Sequence, residues 1–234
     1  MSEKSTMHNY NPEDKSMFIS KIKLKNGVQK SNDFLRLVGN GYFLHQAIWK
    51  LFGDGPDRQR DFLYRFESIG KYPLVYAVSR REPDGPLKLW DIEIKKYEPY
   101  IVDGMRLGFI VRANPTCKKD GKRHDVVMDL KKKMKSGNGQ SEDVRIAEII
   151  QDAGEKWLSS RSGKNGFKVE QVRVDGYRQY KFYKRKNNMV VQYSTLDFIG
   201  VLSVINTALF SDMLLNGIGA EKSFGCGLML VRKT

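Results

Sequence analysis

A tyrosine and a histidine three residues apart on one helix can share the work of moving a proton. Tyr42 and His45 are such a pair, set in the first clear helical stretch of the chain. At i, i+3 their side chains project from the same side of the helix. Beside a cationic surface, this pair suits RNA cleavage. The attacking 2′-hydroxyl then belongs to the substrate, and the protein takes and gives protons and stabilises charge on the phosphorane. A histidine at the edge of an apolar helix face is also a common structural residue, and spacing alone does not separate the two roles. The other histidines, His8 and His124, lie in a polar tail and a basic strand. No His, Asp or Glu set has metal-ligand spacing, so neither metal nor other cofactor is expected. Asp57 with Asp61, and Asp91 with Glu93, read as exposed turn and strand residues.

A second candidate lies near the C-terminus. Gly217 and Gly219, then Gly225 and Gly227, form two G-x-G pairs around Lys222 and Ser223, and an apolar run from Leu228 to Val231 follows. Glycine turns through positive φ and lets backbone approach another surface closely. The expectation is a loop whose N–H groups meet phosphate oxygens; a tight helix-to-strand turn explains the glycines as well. The spacing excludes a Walker A loop. A dinucleotide fingerprint would need a third glycine at position 222 and a helix afterwards.

The third candidate is a ribbon. Residues 177–186 interleave tyrosine and phenylalanine with Arg178, Lys181, Lys184, Arg185 and Lys186, and include no acid. Aromatics stack on bases and cations pair with phosphates. The chain has 41 Lys and Arg against 27 Asp and Glu, a net +14. Segments 118–135 and 161–186 supply +12 of it, both in the second half. That balance points to a polyanion, nucleic acid ahead of membrane. A solvated face remains the other explanation of the run.

The elements that must position these residues follow in order. Residues 1–16 lack periodicity and read as a flexible extension. A strand begins near Met17. Leu44, Ala47, Ile48 and Leu51 then make a helical stripe, with Asn40 as candidate cap and Gly53 at its end. Strands are expected at 62–66, 74–79, 90–96 and 107–113, with a boundary near Pro115. In the second half, strand 124–130, a basic connection 131–139 and helix 141–158 precede strands 167–174, 179–185 and 189–197. A Lys186-Asn187-Asn188 turn joins the last two. Helix 206–216 runs into the glycine segment. The reading is α+β, with residues 17–115 and 116–234 as two ferredoxin-like halves.

No apolar run is long enough to span a bilayer, and no signal peptide is visible. The two cysteines, Cys117 and Cys226, have no C-x-x-C spacing. A cytoplasmic protein without disulfides or structural zinc is expected.

Three blocks resemble the CasE family, the CRISPR-associated endoribonucleases of type I-E systems. They are Leu44 to Phe52 followed by Arg60 to Tyr64; Arg112-Ala113-Asn114-Pro115; and Gly217 through Lys222-Ser223 to Leu228. They stand in the family's order, and the likeness covers about Met17 to Val231. It implies two tandem ferredoxin-like (RRM-like) domains and metal-independent cleavage of CRISPR precursor RNA at the base of the repeat hairpin. Products would be a 2′,3′-cyclic phosphate and a 5′-hydroxyl. It further implies an enzyme that stays on the crRNA hairpin as a Cascade subunit, beside the backbone subunit next to the 3′ hairpin. His45 would be catalytic and Tyr42 would assist. The basic hairpin would enter the RNA groove, pointing regionally to Arg178, Lys181, Lys184, Arg185 and Lys186, with the glycine loop holding the stem. The residues before Met17 and the lysine-rich stretch 118–135 depart from the family pattern. A subunit that binds the hairpin without cutting it fits the charge equally well; an intact Tyr42 and His45 argue against it.

Overall fold

Alternating strands and one amphipathic helix build the first half. The computed structural model describes residues 16–28, 41–53, 60–70, 72–85, 89–135, 142–184 and 189–234. Strands β1 (Phe18–Leu24), β2 (Phe62–Ile69), β3 (Tyr72–Ser79) and β4 (Trp90–Lys96) form an antiparallel sheet in the order β2-β3-β1-β4. Helix α1 (Gly41–Leu51) lies on one face. Its stripe, Leu44, Ile48 and Leu51, is buried against Ile22, Phe62, Tyr64 and Val75. A helix repeating at i, i+4, i+7 thereby meets strand positions repeating every second residue. Asn40, the expected cap, lies outside the described residues.

The second half contains β5 (Arg106–Ala113), β6 (Thr116–Lys119), β7 (Lys122–Asp125), α2 (Val126–Lys135), α3 (Glu142–Ser162), β8 (Phe167–Lys184), β9 (Met189–Val204), α4 (Thr207–Asn216) and β10 (Met229–Lys233). Its main sheet runs β10-β5-β9-β8, again antiparallel. Each sheet places its first and third strands at the centre. The fold is α+β with two tandem ferredoxin-like units. They meet where the far face of the first sheet, through Met17, Leu63 and Val78, packs on Leu228.

Three sequence expectations change. Residues 106–113 pair with β9 and β10, so strand pairing moves from the first sheet to the second within 97–105, ahead of the expected 115. Leu107, Phe109 and Val111 alternate in the same way whichever sheet receives them, and only long-range pairing chooses.

The expected strand 124–130 is the end of β7, the second strand of a β6–β7 hairpin, followed by α2. Asp125 Oδ1 accepts the N–H groups of Val127 (2.8 Å) and Met128 (3.0 Å), starting a helix where the sequence suggests a strand. Asp129 and Lys133, at 3.2 Å, support it one turn on. Finally, the expected strands 167–174 and 179–185 belong, as far as Lys184, to one strand, β8, bulged between Val169 and Gln171 and again between Asp175 and Arg178, where Gly176 has φ +63°. The turn at 186–188 lies outside the described residues.

Candidate active site

His45 sits on the flank of the α1 stripe, beside buried Leu44, and is itself half-buried. Trp49, one turn later on the same side, has its ring 5.6 Å away. The imidazole stacks on Phe224 with centroids 4.7 Å apart, and its Nδ1 is 3.3 Å from the Tyr64 hydroxyl. Tyr64 in turn donates to the Ser223 carbonyl (3.0 Å), as does the Trp49 indole N–H at 3.4 Å. One backbone carbonyl of the glycine segment therefore receives donors from both β2 and α1. Tyr42 lies in the first turn of the same helix; its side chain is outside the described ones.

The glycine segment begins where α4 stops. Asn206 caps that helix by accepting the N–H of Leu209 (3.0 Å), and Gly217 ends it with φ +75°. The expected free N–H groups are already bonded within the protein: Gly217 N–H to Met213 O (2.7 Å), Gly225 N–H to Lys222 O (3.3 Å) and Gly227 N–H to Arg112 O (2.7 Å). This corrects the phosphate-cradle expectation for those three. What requires glycine is closeness. A Cβ on Gly217 would lie 2.9 Å from the Leu63 side chain, one on Gly219 3.1 Å from Trp157, and one on Gly225 3.0 Å from the Tyr64 ring. All four glycines have positive φ.

The Arg112-Ala113-Asn114-Pro115 block anchors the segment from below. Arg112 forks onto Asp197 with contacts of 2.9 and 2.7 Å and reaches across to Phe66 O of the first sheet at 3.0 Å. Asn114 donates to Ser194 O at 2.7 Å and forms an isolated bridge with Ala220. These residues hold the loop and the two sheets in register.

Phe224 continues the contact toward the ribbon. It stacks on Tyr193 of β9 (5.1 Å) and touches Phe182 of β8 (5.2 Å), and Tyr193 stacks on Tyr180 at 4.9 Å. Aromatic rings thus run without a break from the His45 imidazole to the cationic ribbon. Arg178 and Lys181 are exposed there. Lys184 ends the strand with its side chain outside the described ones, and Arg185 and Lys186 lie outside the described residues altogether.

Burial raises the phenols of Tyr64 and Tyr193 well above the usual range, with the neighbouring Cys226 adding to both. Burial likewise pushes the Cys226 thiol up to about 12. Two cations sit beside them. Burial and then Arg60 lower the Lys222 ammonium, whose Nζ is 2.6 Å from Asn216 O. Burial also lowers Arg60, while Tyr64 opposes it, and its Nη1 is buried with no hydrogen-bond partner among the described residues. The arrangement can move a proton at the imidazole and draw an anion toward Arg60 and Lys222.

The structure brings His45, Lys222 and Ser223 together. The glycines surround them as packing, and the ribbon joins through Phe224. Sequence reasoning missed Tyr64, Phe224 and Tyr193. Arg60 and Tyr64 stood inside a family block, which was the one signal available for them.

The family described as CRISPR associated protein matches residues 17–233. Among curated proteins, the chain is 30% identical over 190 residues to the CRISPR system Cascade subunit CasE of Escherichia coli strain K12, covering 80% of this chain and 89% of that protein. In fold it is similar to Thermus thermophilus Cse3 bound to an RNA representing a pre-cleavage complex, with TM-score 0.67 and 22% identity over 93% of this chain and 99% of that one. It is similar too to the CRISPR-associated protein Cas6e from Escherichia coli K-12, with TM-score 0.60 and 24% identity over 93% and 100% of the two chains. Among the described residues, no helix is long and apolar enough to cross a membrane.

Proposed function

The chain belongs to the CasE family of CRISPR-associated proteins, and on that premise we propose that it is an endoribonuclease that cuts CRISPR precursor RNA at the base of the repeat hairpin. The 2′-oxygen beside the scissile phosphate loses its proton and bonds to phosphorus. The bond from phosphorus to the 5′-oxygen breaks, and that oxygen leaves with a proton. A 2′,3′-cyclic phosphate and a 5′-hydroxyl result. The step needs no metal: His45 moves protons, Tyr42 assists, and Arg60 and Lys222 face the charge on the phosphorane.

The observation that carries this reading is the placement of the His45 ring against Phe224, at the end of the aromatic path leading to the ribbon. A hairpin held by Arg178, Lys181, Lys184, Arg185 and Lys186 would bring its base to that imidazole. Afterwards the protein stays on the crRNA hairpin in the cytoplasm as a subunit of a Cascade complex, next to the backbone subunit at the 3′ end. The Escherichia coli relative is by name such a subunit.

The test is cleavage of the repeat transcript by the full chain, with and without EDTA, and with deoxyribose at the cut site. Cleavage unaffected by EDTA and abolished by the deoxy substitution, with binding retained, is the expected result. Replacing His45 by Ala should slow cleavage by about 10²–10⁴-fold. A His45→Ala chain that cuts at the normal rate would instead favour a hairpin-binding subunit without catalysis.

A further inference from the structure

A phenol has one proton to donate and two lone pairs with which to accept. The Tyr64 hydroxyl lies 3.0 Å from the Ser223 carbonyl oxygen, which only accepts, so its proton points there. The same hydroxyl oxygen is 3.3 Å from Nδ1 of His45. With its proton committed to Ser223, Tyr64 can meet that nitrogen only as an acceptor, and Nδ1 must therefore bear the hydrogen. The tautomer of a histidine is set by the bond its other nitrogen makes.

We propose that Tyr64, held by the carbonyl of Ser223, is a positioning residue that fixes His45 as the Nδ1–H tautomer and leaves Nε2 as the atom that exchanges protons with the RNA. This deepens the endoribonuclease reading and rests on it. Both neutral and protonated imidazole carry hydrogen on Nδ1, so the Tyr64 bond persists through the proton transfer and the ring need not turn. Phe224 stacked on one face and Trp49 beside it restrict the ring further.

Arg60 ahead of β2, Tyr193 on β9 and Cys226 in the glycine segment act on Tyr64, and Lys222 lies beside Arg60 and Asp212 of α4. Burial keeps the Tyr64 phenol protonated well beyond its ordinary range, so the donor to Ser223 is not lost at working pH. The glycine segment thereby acquires a chemical duty. It supplies the carbonyl that orients the tyrosine that orients the histidine.

The experiment is ¹⁵N NMR of the histidine rings in the free, full-length chain, followed by cleavage assays on Tyr64→Phe. The phenylalanine keeps the ring that packs in the first core and removes only the oxygen. Wild-type His45 should show the Nδ1–H pattern, and Tyr64→Phe should shift it toward Nε2–H. Cleavage should fall roughly tenfold with a displaced pH–rate profile, while affinity for a hairpin with deoxyribose at the cut site stays within about twofold. The loss should be smaller than the ~10⁴-fold that follows removal of a buried aspartate in the same orienting role, because the tyrosine is neutral.

An Nε2–H pattern in the wild-type chain overturns the proposal, whether or not the variant folds. So does a Tyr64→Phe chain whose tautomer, rate and pH profile are unchanged. The NMR arm is read without RNA. An Nδ1–H pattern in a chain that fails to cut its repeat transcript would sink the nuclease reading while the tautomer assignment stands.

Discussion

In the glycine segment, Gly217, Gly225 and Gly227 turn their N–H groups onto protein carbonyls, and Gly225 and Gly227 are buried. Along the ribbon, Arg178 and Lys181 stand exposed and form no ion pair among the described residues. In the first half two cations are matched: Lys23 lies 2.7 Å from Glu93, and Arg81 lies 2.9 Å from Asp61. The difference teaches what each composition is for. Glycine at 217 and 225 permits close contact between the two halves of the chain, at Leu63 and Tyr64, whereas exposed cations on a β-ribbon are free to meet a polyanion from outside. Phe224 stands between the two and belongs to both, stacking on His45 and on Tyr193.

Substitutions can break that contrast. The largest effect is expected at Gly227, where an alanine Cβ would come 2.7 Å from the Ile218 carbonyl oxygen at φ +92°. A left-handed L-residue costs about 1–2 kcal/mol, and the backbone clash brings the loss to roughly 2–4 kcal/mol. Urea unfolding measures it, and an unchanged midpoint would mean that the close packing at Gly227 does not contribute to stability. Gly225→Ala should cost less, about 1–2 kcal/mol, yet slow cleavage about tenfold. Its Cβ would press on Tyr64 at 3.0 Å and so disturb the histidine. Cleavage at constant folded fraction separates the two contributions.

Arg178→Ala combined with Lys181→Ala should do the reverse. Stability should change by no more than ~0.5 kcal/mol, while hairpin affinity falls. The slope of log affinity against log salt should shrink by about one for each phosphate no longer neutralised. A salt slope equal to that of the wild type would remove the ribbon from the interface.

The smallest effect is confined to alkaline solution. The Cys226 thiol ionises near 9.0 when unfolded and only at about 12 when buried. Above pH 9 the unfolded chain therefore binds fewer protons than the native one. The contribution of this thiol is flat below that value and declines as pH rises toward 12. Tyr64 and Tyr193, also raised by burial, steepen the decline above pH 10. Cys226→Ala should flatten the first part of the curve in pH-dependent urea midpoints.

Much of this was legible in the order of residues. The stripe at Leu44, Ile48 and Leu51 located the helix and put His45 on its edge, because a 3.6-residue repeat leaves few choices of face. The glycine pairs marked a place of positive φ, but not what would press against it. The stretch 124–130 reads as a strand because two valines look alike in a strand and in a helix; the Asp125 cap decides between them. Tyr64 looks like one more apolar strand position. Its hydroxyl finds its partner 159 residues away, and no periodicity carries that distance.

From its sequence alone the chain specified a helix with a histidine at its margin, four turns that only glycine makes without strain, and a band of cations without counter-charges. Steric exclusion and side-chain periodicity act over a few residues, so such features are written locally. Which sheet received residues 106–113, which carbonyl met Tyr64, and which nitrogen of His45 kept its hydrogen were decided by the tertiary structure. Those outcomes depend on many weak contacts between distant segments, and they become definite only when the two halves pack together.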